Sequence, residues 1–187
     1  MTSGVWWPED DVLRELAGND ELWRAYCAAT VRFDLPSGRV HLTPRPVPST
    51  GVPPVGDLHV LTACDPASSG CRGEDVVRME LLRAELDGLT WYPAEGGDLD
   101  AQHDPEPSIA AQGLTDRQAR ELGQQFGQVA VFAWSGRRWS VLACATPRRS
   151  DLGCQYLAFE HAAELFGGEE FVAETPVERL AGAVLPG

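Results

Sequence analysis

Leu61-Thr62-Ala63-Cys64-Asp65-Pro66 is the stretch of sequence on which the expected fold depends. It ends a short, nearly continuous apolar run that begins at Leu58, and such a run is typical of a strand buried on both faces. Polar side chains at the exit of a buried strand are held rigidly, and α/β proteins often bind ligands there. Because Asp-Pro is also a common pair at the start of a loop, the stretch on its own favours a turn over a site.

Helix and strand patterns follow one another on both sides of this stretch. A helix is predicted from about Glu74 to Leu86, and Thr115-Asp116-Arg117-Gln118 is a capping box that begins another. Asp20 is a candidate cap for a helix near the N-terminus. Further helices are predicted from Gln155 to Phe166 and after a second capping box at 175–178. Strands are predicted at 31–35, 39–43, 90–93, 107–111, 128–134 and 138–145. Short turns between 31–35 and 39–43, and between 128–134 and 138–145, predict two hairpins.

This order of elements predicts an α+β fold, an α/β sandwich. We expect a single mixed or mostly antiparallel sheet with helices packed on it, plus helical extensions at both termini. The chain of 187 residues fits one domain. Its predicted parts are an N-terminal helical extension (1–25), an α/β core (26–147) and a C-terminal helical extension (148–187). Residues 44–56 carry five prolines and two glycines, which predicts a loop.

The net charge of -13 narrows the classes of partner. Phosphate contacts need a surplus of lysine and arginine, so the charge disfavours nucleic acid and anionic membrane as partners. Solubility is the simplest explanation of the charge, and a basic protein partner is the alternative.

Five cysteines without a Cys-x-x-Cys pair do not form a disulfide framework. The sequence has no signal peptide pattern and no apolar run of about 20 residues, so we expect a cytoplasmic protein. His59, Cys64, Cys71 and His103 match no compact zinc pattern, and no metal site is predicted. No phosphate-binding loop or dinucleotide fingerprint is present, so the cofactor is unknown.

Seven polar residues at predicted strand ends and helix starts are the candidate ligand-binding residues. Carboxylates in the first turn of a helix complement its dipole, and an arginine one turn later recognises carboxylate or phosphate groups. An ion pair between Glu74 and Arg78, four residues apart, is the structural alternative. Pro107 holds the residue before it extended, and Gly127 allows a helix to end just before a strand. The candidates are Thr62, Asp65, Glu74, Asp75, Arg78, Glu106 and Gln128.

These positions also carry a resemblance to a bacterial family of uncharacterised proteins, domain of unknown function 3293, over about residues 26–145. The family pattern is similar to Thr-Ala-Trp-Asn-Pro, then Glu-Asn, Glu-Pro-Ser and Phe-Gly-Gln before a strand. Here Cys64 stands in place of Trp, and Asp65 and Asp75 stand in place of Asn, which replaces amide donors by acceptors. The resemblance implies no reaction. It is carried by 61–66, Glu74-Asp75 with Arg78, Leu82 and Leu86, Glu106-Pro107-Ser108 and 126–132.

The sequence therefore predicts a domain that binds a small polar or nucleotide-like ligand in a cleft at strand ends, and leaves open whether a reaction follows. The alternative is a non-catalytic, acidic module that binds a basic protein.

Overall fold

Eight antiparallel strands close into a barrel in the computed structural model, which describes residues 7–45, 53, 55–65, 73–98 and 104–159. The strands are β1 (Thr30–Leu35), β2 (Gly38–Arg45), β3 (Leu58–Leu61), β4 (Trp91–Gly97), β5 (Glu106–Gln112), β6 (Ala130–Ser135), β7 (Arg138–Ala143) and β8 (Arg149–Phe159). The helices of the described part are α1 (Asp10–Gly18), α2 (Asp20–Ala28), α3 (Gly73–Glu85) and α4 (Asp116–Gln125). Around the barrel the strands follow the order β1-β2-β8-β7-β6-β3-β5-β4.

The expected α/β sandwich with an open sheet is wrong. Val31 of β1 lies opposite Leu42 of β2 and opposite Gly96 of β4, and this double pairing closes the sheet. Closure also requires β8, which pairs with both β2 and β7. The helix predicted from Gln155 is wrong as far as Phe159, because those residues continue β8. The rest of that helix and the second capping box lie outside the described residues.

The sequence predicted individual helices and hairpins more accurately than their overall arrangement. Both hairpins, the helix near 74–86 and the capping box at Thr115 are confirmed: Thr115 Oγ1 accepts from Gln118 N at 3.2 Å, and Gln118 Oε1 accepts from Thr115 N at 3.0 Å. Asn19, not Asp20, caps α2. No helix in the described ranges is long and apolar enough to cross a membrane. The three-part division of the chain and the cytoplasmic location stay predictions.

The barrel wall is buried on its inner face, and at β3, β5, β6 and β7 it is buried on most of its outer face as well. Inside, Trp134, Trp139 and Phe33 fill the lumen, and the rings of Phe33 and Trp134 stack with centroids 6.0 Å apart. Outside, α3 and α4 pack on β3, β5, β6 and β7. Helices α1 and α2 cover one end, where Trp23 lies among the first residues of β6 and the last of β7. Burial of both faces explains the continuous apolar runs in the sequence.

Gly123 allows α4 to lie directly on the barrel. A Cβ at this position would lie 2.6 Å from Cys144 Sγ and 2.6 Å from Val131 Cγ1, closer than real contacts allow. Gly18, at the end of α1, has no atom within 4 Å of the same position.

We expect Gly123→Ala to destabilise the protein by about 1–3 kcal/mol, because the clash outweighs the better helix propensity of alanine. Gly18→Ala is the matched control and should be neutral or stabilising by up to about 1 kcal/mol. Urea unfolding of both variants measures the difference. Equal effects of the two substitutions would contradict the close packing of α4.

Candidate functional site

A cavity of about 330 Å³ lies at the mouth of the barrel, beneath α2. Its apolar wall combines residues of α2 with inward-facing residues of the strands. Its polar rim comes from strand ends and from the segments that adjoin them. The lining residues of the described part are Leu22, Ala25, Tyr26, Ala29, Val31, Val60, Leu61, Thr62, Gly96, Gly97, Asp98, Asp104, Glu106, Ser108, Gln128, Ala130 and Phe132.

The cavity exists because small residues occupy inward-facing positions at this end of the barrel. Gly96 lies opposite Val31 and Glu106, so a side chain on Gly96 would point into the lumen. A Cβ there would meet nothing closer than Ser108 Oγ at 3.8 Å. The remaining lumen is filled by tryptophan and phenylalanine, so the space is confined to the mouth.

The surroundings of the Glu106 carboxyl group in the cavity raise its pKa. Burial raises its pKa above the ordinary value of 4.5, a hydrogen bond with the Thr62 hydroxyl lowers it, the charge of Asp75 raises it and that of Arg78 lowers it. Burial also raises the pKa of Tyr26, and the nearby Glu106 charge adds to that shift. Two ionisable groups whose neutral forms are favoured therefore share one cavity.

The end of α4 places Gln128 in the cavity wall. Gly127 has φ +69°, and its N–H donates to Gln124 O while Gln128 N donates to Gly123 O at 2.8 Å. This pair of bonds is the Schellman motif, which reverses the chain at a helix end. The Gln128 amide then donates to Cys64 O at 2.8 Å and to Phe126 O at 3.3 Å, which ties β6 to the end of β3.

A buried ion pair lies behind this wall. Asp75 and Arg78 are 2% and 3% exposed, and their Oδ1 and Nη1 atoms are 3.7 Å apart. Asp75 Oδ1 accepts from Asp65 N at 2.9 Å, and Arg78 donates to Phe126 O at 3.4 Å. The guanidinium also lies 4.2 Å from the ring centre of Trp7, a cation–π contact. The pair therefore joins α3 to the strand end, to the end of α4 and to the N-terminal segment.

The structure divides the seven candidate residues into three groups. Thr62, Glu106 and Gln128 line the cavity. Asp75 and Arg78 form the buried pair, with Asp65 bound to Asp75 through its backbone. Glu74 is exposed at the start of α3, and the expected Glu74–Arg78 ion pair is wrong, because Arg78 turns to Asp75.

Sequence reasoning missed Tyr26, Asp98 and Asp104 as cavity residues. Tyr26 lies at helical spacing from Leu22 and Trp23, so its position favours a core role, and its ring does lie 6.4 Å from that of Phe132. Asp98 and Asp104 lie in the glycine- and aspartate-rich stretch 94–105, whose composition predicts a loop but not the direction in which its side chains point. No group of three or more His, Cys, Asp or Glu side chains in the described ranges is arranged to hold a metal ion.

Comparison with known proteins supports the resemblance over part of the chain. A family model described as "Protein of unknown function (DUF3293)" matches residues 61–131, and the predicted resemblance is confirmed over that segment. The segment runs from the end of β3 into β6 and contains the buried ion pair. No curated protein and no solved structure matches the chain.

Asp75→Ala should cost about 3–5 kcal/mol of unfolding free energy, because it leaves the buried Arg78 charge without its partner. Asp75→Asn keeps an oxygen that accepts from Asp65 N, so we expect a clearly smaller loss. The double variant Asp75→Ala/Arg78→Met should recover part of the loss. Urea unfolding measures all three, and a double variant no more stable than Asp75→Ala would contradict the role of the pair.

Glu106→Gln should stabilise the protein at neutral pH. An acid with a raised pKa binds more protons when folded than when unfolded, so its contribution to stability falls as pH rises above the unfolded value near 4.5. The stability of Glu106→Gln relative to the unsubstituted protein should therefore increase with pH. Unfolding curves from acidic to neutral pH test this, with Glu80→Gln, an exposed site on α3, as the control for loss of one charge. A difference that does not change with pH would contradict it.

Proposed function

We propose that the protein binds a small polar ligand in the cavity at the mouth of the barrel, with the polar end of the ligand against Glu106, Gln128 and Tyr26. One observation carries the proposal. A space within the barrel is lined by apolar and polar side chains together, whereas the adjoining lumen is filled by large aromatic side chains. Ligand sites of proteins usually combine an apolar wall with a few convergent polar groups.

The geometry of small barrels supports this proposal. Eight strands enclose a lumen that is either filled by side chains or holds one small ligand. In this protein Trp134 and Trp139 fill the central part, and Gly96 and Ala130 leave the mouth open. A ligand would replace the packing that these small residues do not supply.

The lining also limits which part of a nucleotide-like ligand the cavity would accept. The described lining residues include Asp98, Asp104 and Glu106 and no lysine, arginine or histidine. A phosphate group would meet carboxylates there, which is unfavourable, whereas a base or another uncharged or cationic group would not. The proposal concerns binding and includes no reaction.

Binding of a basic protein is the second candidate function, and the surface of α1 and α2 favours it. Their exposed carboxylates outnumber the arginines among them, and opposite charge accelerates association with a basic partner. These exposed acidic residues are Glu9, Asp10, Asp11, Glu15, Asp20 and Glu21.

Ala25→Phe should block the cavity. Ala25 lines the cavity from the exposed side of α2, so the larger ring would fill space without disturbing the core. In a thermal-shift screen of nucleosides, sugars and amines, we expect at least one compound to raise the melting temperature of the unsubstituted protein. A ligand at about 100 times its Kd adds about 2.7 kcal/mol, or roughly 5–10 °C for a chain of this size. Ala25→Phe should abolish the shift.

Ala28→Phe is the matched control, because Ala28 is exposed at the end of the same helix and lies outside the cavity. Its thermal shift should equal that of the unsubstituted protein. If no compound produces a shift that Ala25→Phe removes, the cavity proposal is wrong. Salt-sensitive binding of a cationic protein that persists in Ala25→Phe would then favour the second candidate function.

A further inference from the structure

We propose that the ligand carries a cationic group with several hydrogen-bond donors, an amidinium, guanidinium or primary ammonium, attached to an apolar body. This inference rests on the proposed function and names the chemical class of its ligand. It follows from which donors and acceptors around the cavity are already used, from the charge of the rim and from the apolar wall.

Gln128 presents an acceptor to the cavity. Its amide nitrogen is already used, since it donates to Cys64 O at 2.8 Å and to Phe126 O at 3.3 Å. Its Oε1 accepts no hydrogen bond from the described residues, although the side chain is only 3% exposed. This oxygen is therefore the part of the Gln128 side chain that can accept a hydrogen bond from a ligand N–H.

The two hydroxyl groups of the strand ends are committed as donors as well. Thr62 Oγ1 donates to Pro107 O at 2.9 Å, and Ser108 Oγ donates to Glu106 O at 3.1 Å. A hydroxyl has one proton and two lone pairs, so neither group has a donor left for a ligand. The Thr62 proton serves Pro107 O or the Glu106 carboxylate, and one Thr62 lone pair already accepts from Cys64 N at 3.1 Å. Ser108 Oγ keeps its acceptor capacity. With the Glu106 carboxylate, the polar wall becomes a set of acceptors, and the Tyr26 hydroxyl is the remaining donor.

The negative charge at the rim of the cavity also favours a cationic ligand. Asp98, Asp104 and Glu106 line the cavity, and no cationic side chain of the described ranges lines it. Arg78 acts on Glu106 from behind the wall, but it is paired with Asp75. A ligand cation would therefore bring positive charge next to the carboxyl groups of Asp104 and Glu106, in a partly desolvated place where ion pairing is stronger than in water.

The apolar walls of the cavity match the apolar body of the proposed ligand. Val31, Val60 and Ala130 form an apolar surface, and Tyr26 and Phe132 supply aromatic rings. Aromatic faces attract cations by about 0.5–2 kcal/mol, so the rings and the carboxylates favour the same group. A planar arylamidinium combines an apolar ring with four N–H donors and matches this set.

Binding of the cation should also be coupled to proton release. The titratable and charged groups around Glu106 come from several elements. They are Tyr26 of α2, Asp98 after β4, Asp104 before β5, and Asp75 and Arg78 of α3. Its raised pKa means that Glu106 keeps its proton to a higher pH than an exposed glutamate does, and a bound cation favours the ionised form. Affinity should therefore rise with pH until Glu106 is ionised in the free protein.

Three probes of nearly equal shape test the inference: benzamidine, benzamide and benzoate, titrated by calorimetry or by protein NMR. We expect benzamidine to bind about tenfold or more tightly than benzamide, and benzoate to bind most weakly. Glu106→Gln should weaken benzamidine about tenfold, abolish most of its pH dependence and weaken benzamide by a clearly smaller factor. Glu80→Gln should leave all three affinities unchanged, and Ala25→Phe should remove binding of benzamidine.

Equal affinity for benzamidine and benzamide, both lost in Ala25→Phe, would overturn the cationic ligand while the cavity proposal stands. Benzamidine binding that persists in Ala25→Phe would place the cation on the acidic outer surface and would also overturn the inference. No binding of benzamidine at about 10 mM, with a neutral compound giving a shift that Ala25→Phe removes, overturns the inference alone. If no compound gives such a shift, both proposals fail.

Discussion

A guanidinium buried in the protein interior must be neutralised, and this requirement at Arg78 connects otherwise separate parts of the chain. Asp75 supplies the charge, Phe126 O accepts a hydrogen bond, and Trp7 covers the cation with its ring. Its Nε has no hydrogen-bond partner among the described residues, so each remaining contact carries more weight. Buried ion pairs seldom add much net stability, but removal of one partner is costly. The pair therefore restricts how α3, the end of α4 and the N-terminal segment can be arranged.

The cavity depends on this arrangement through the backbone. Phe126 O accepts hydrogen bonds from both Arg78 and Gln128. Gln128 also donates to Cys64 O, which belongs to the same peptide group as the Asp65 N–H that donates to Asp75. The Gln128 amide group is thereby held with its donors toward the protein and its oxygen available. An interaction that serves the packing of α3 thus also determines which atom a ligand would meet. The acceptor character of the cavity is a consequence of structural bonds, which explains why a site can arise without a recognisable catalytic motif.

Short-range patterns predicted much of the local structure but not the closure of the barrel. The Thr115 capping box and the two hairpins depend on neighbours within a few residues, and they were confirmed. Closure depends on pairings between distant segments, and above all on those of β8. The sequence predicted a helix for the end of β8, because the aromatic residues at 156 and 159 are spaced as on a helix. Of the predicted site residues, Thr62, Glu106 and Gln128 line one cavity, whereas Asp75 and Arg78 form a buried pair. The sequence could not distinguish these two outcomes, because it shows that polar residues adjoin strands but not which way their side chains face. Tyr26 was missed, since a tyrosine on an amphipathic helix usually belongs to the core.

The matched segment and the cavity coincide only in part, and the difference bears on specificity. Residues 61–131 supply Glu106, Gln128 and the buried pair behind them, whereas α2, with Ala25 and Tyr26, lies before that segment. The strand ends that line the cavity with Glu106 and Gln128 are therefore part of the matched segment, and the helix that covers the cavity is not. Within the wall, Asp75 accepts from a backbone N–H, which an asparagine oxygen could equally do, but only the carboxylate neutralises Arg78. A relative with asparagine at this position would leave more positive charge behind Glu106, which would lower the pKa of that carboxyl group and change its affinity for a cation. One scaffold could then serve ligands of different charge through a residue that never touches them.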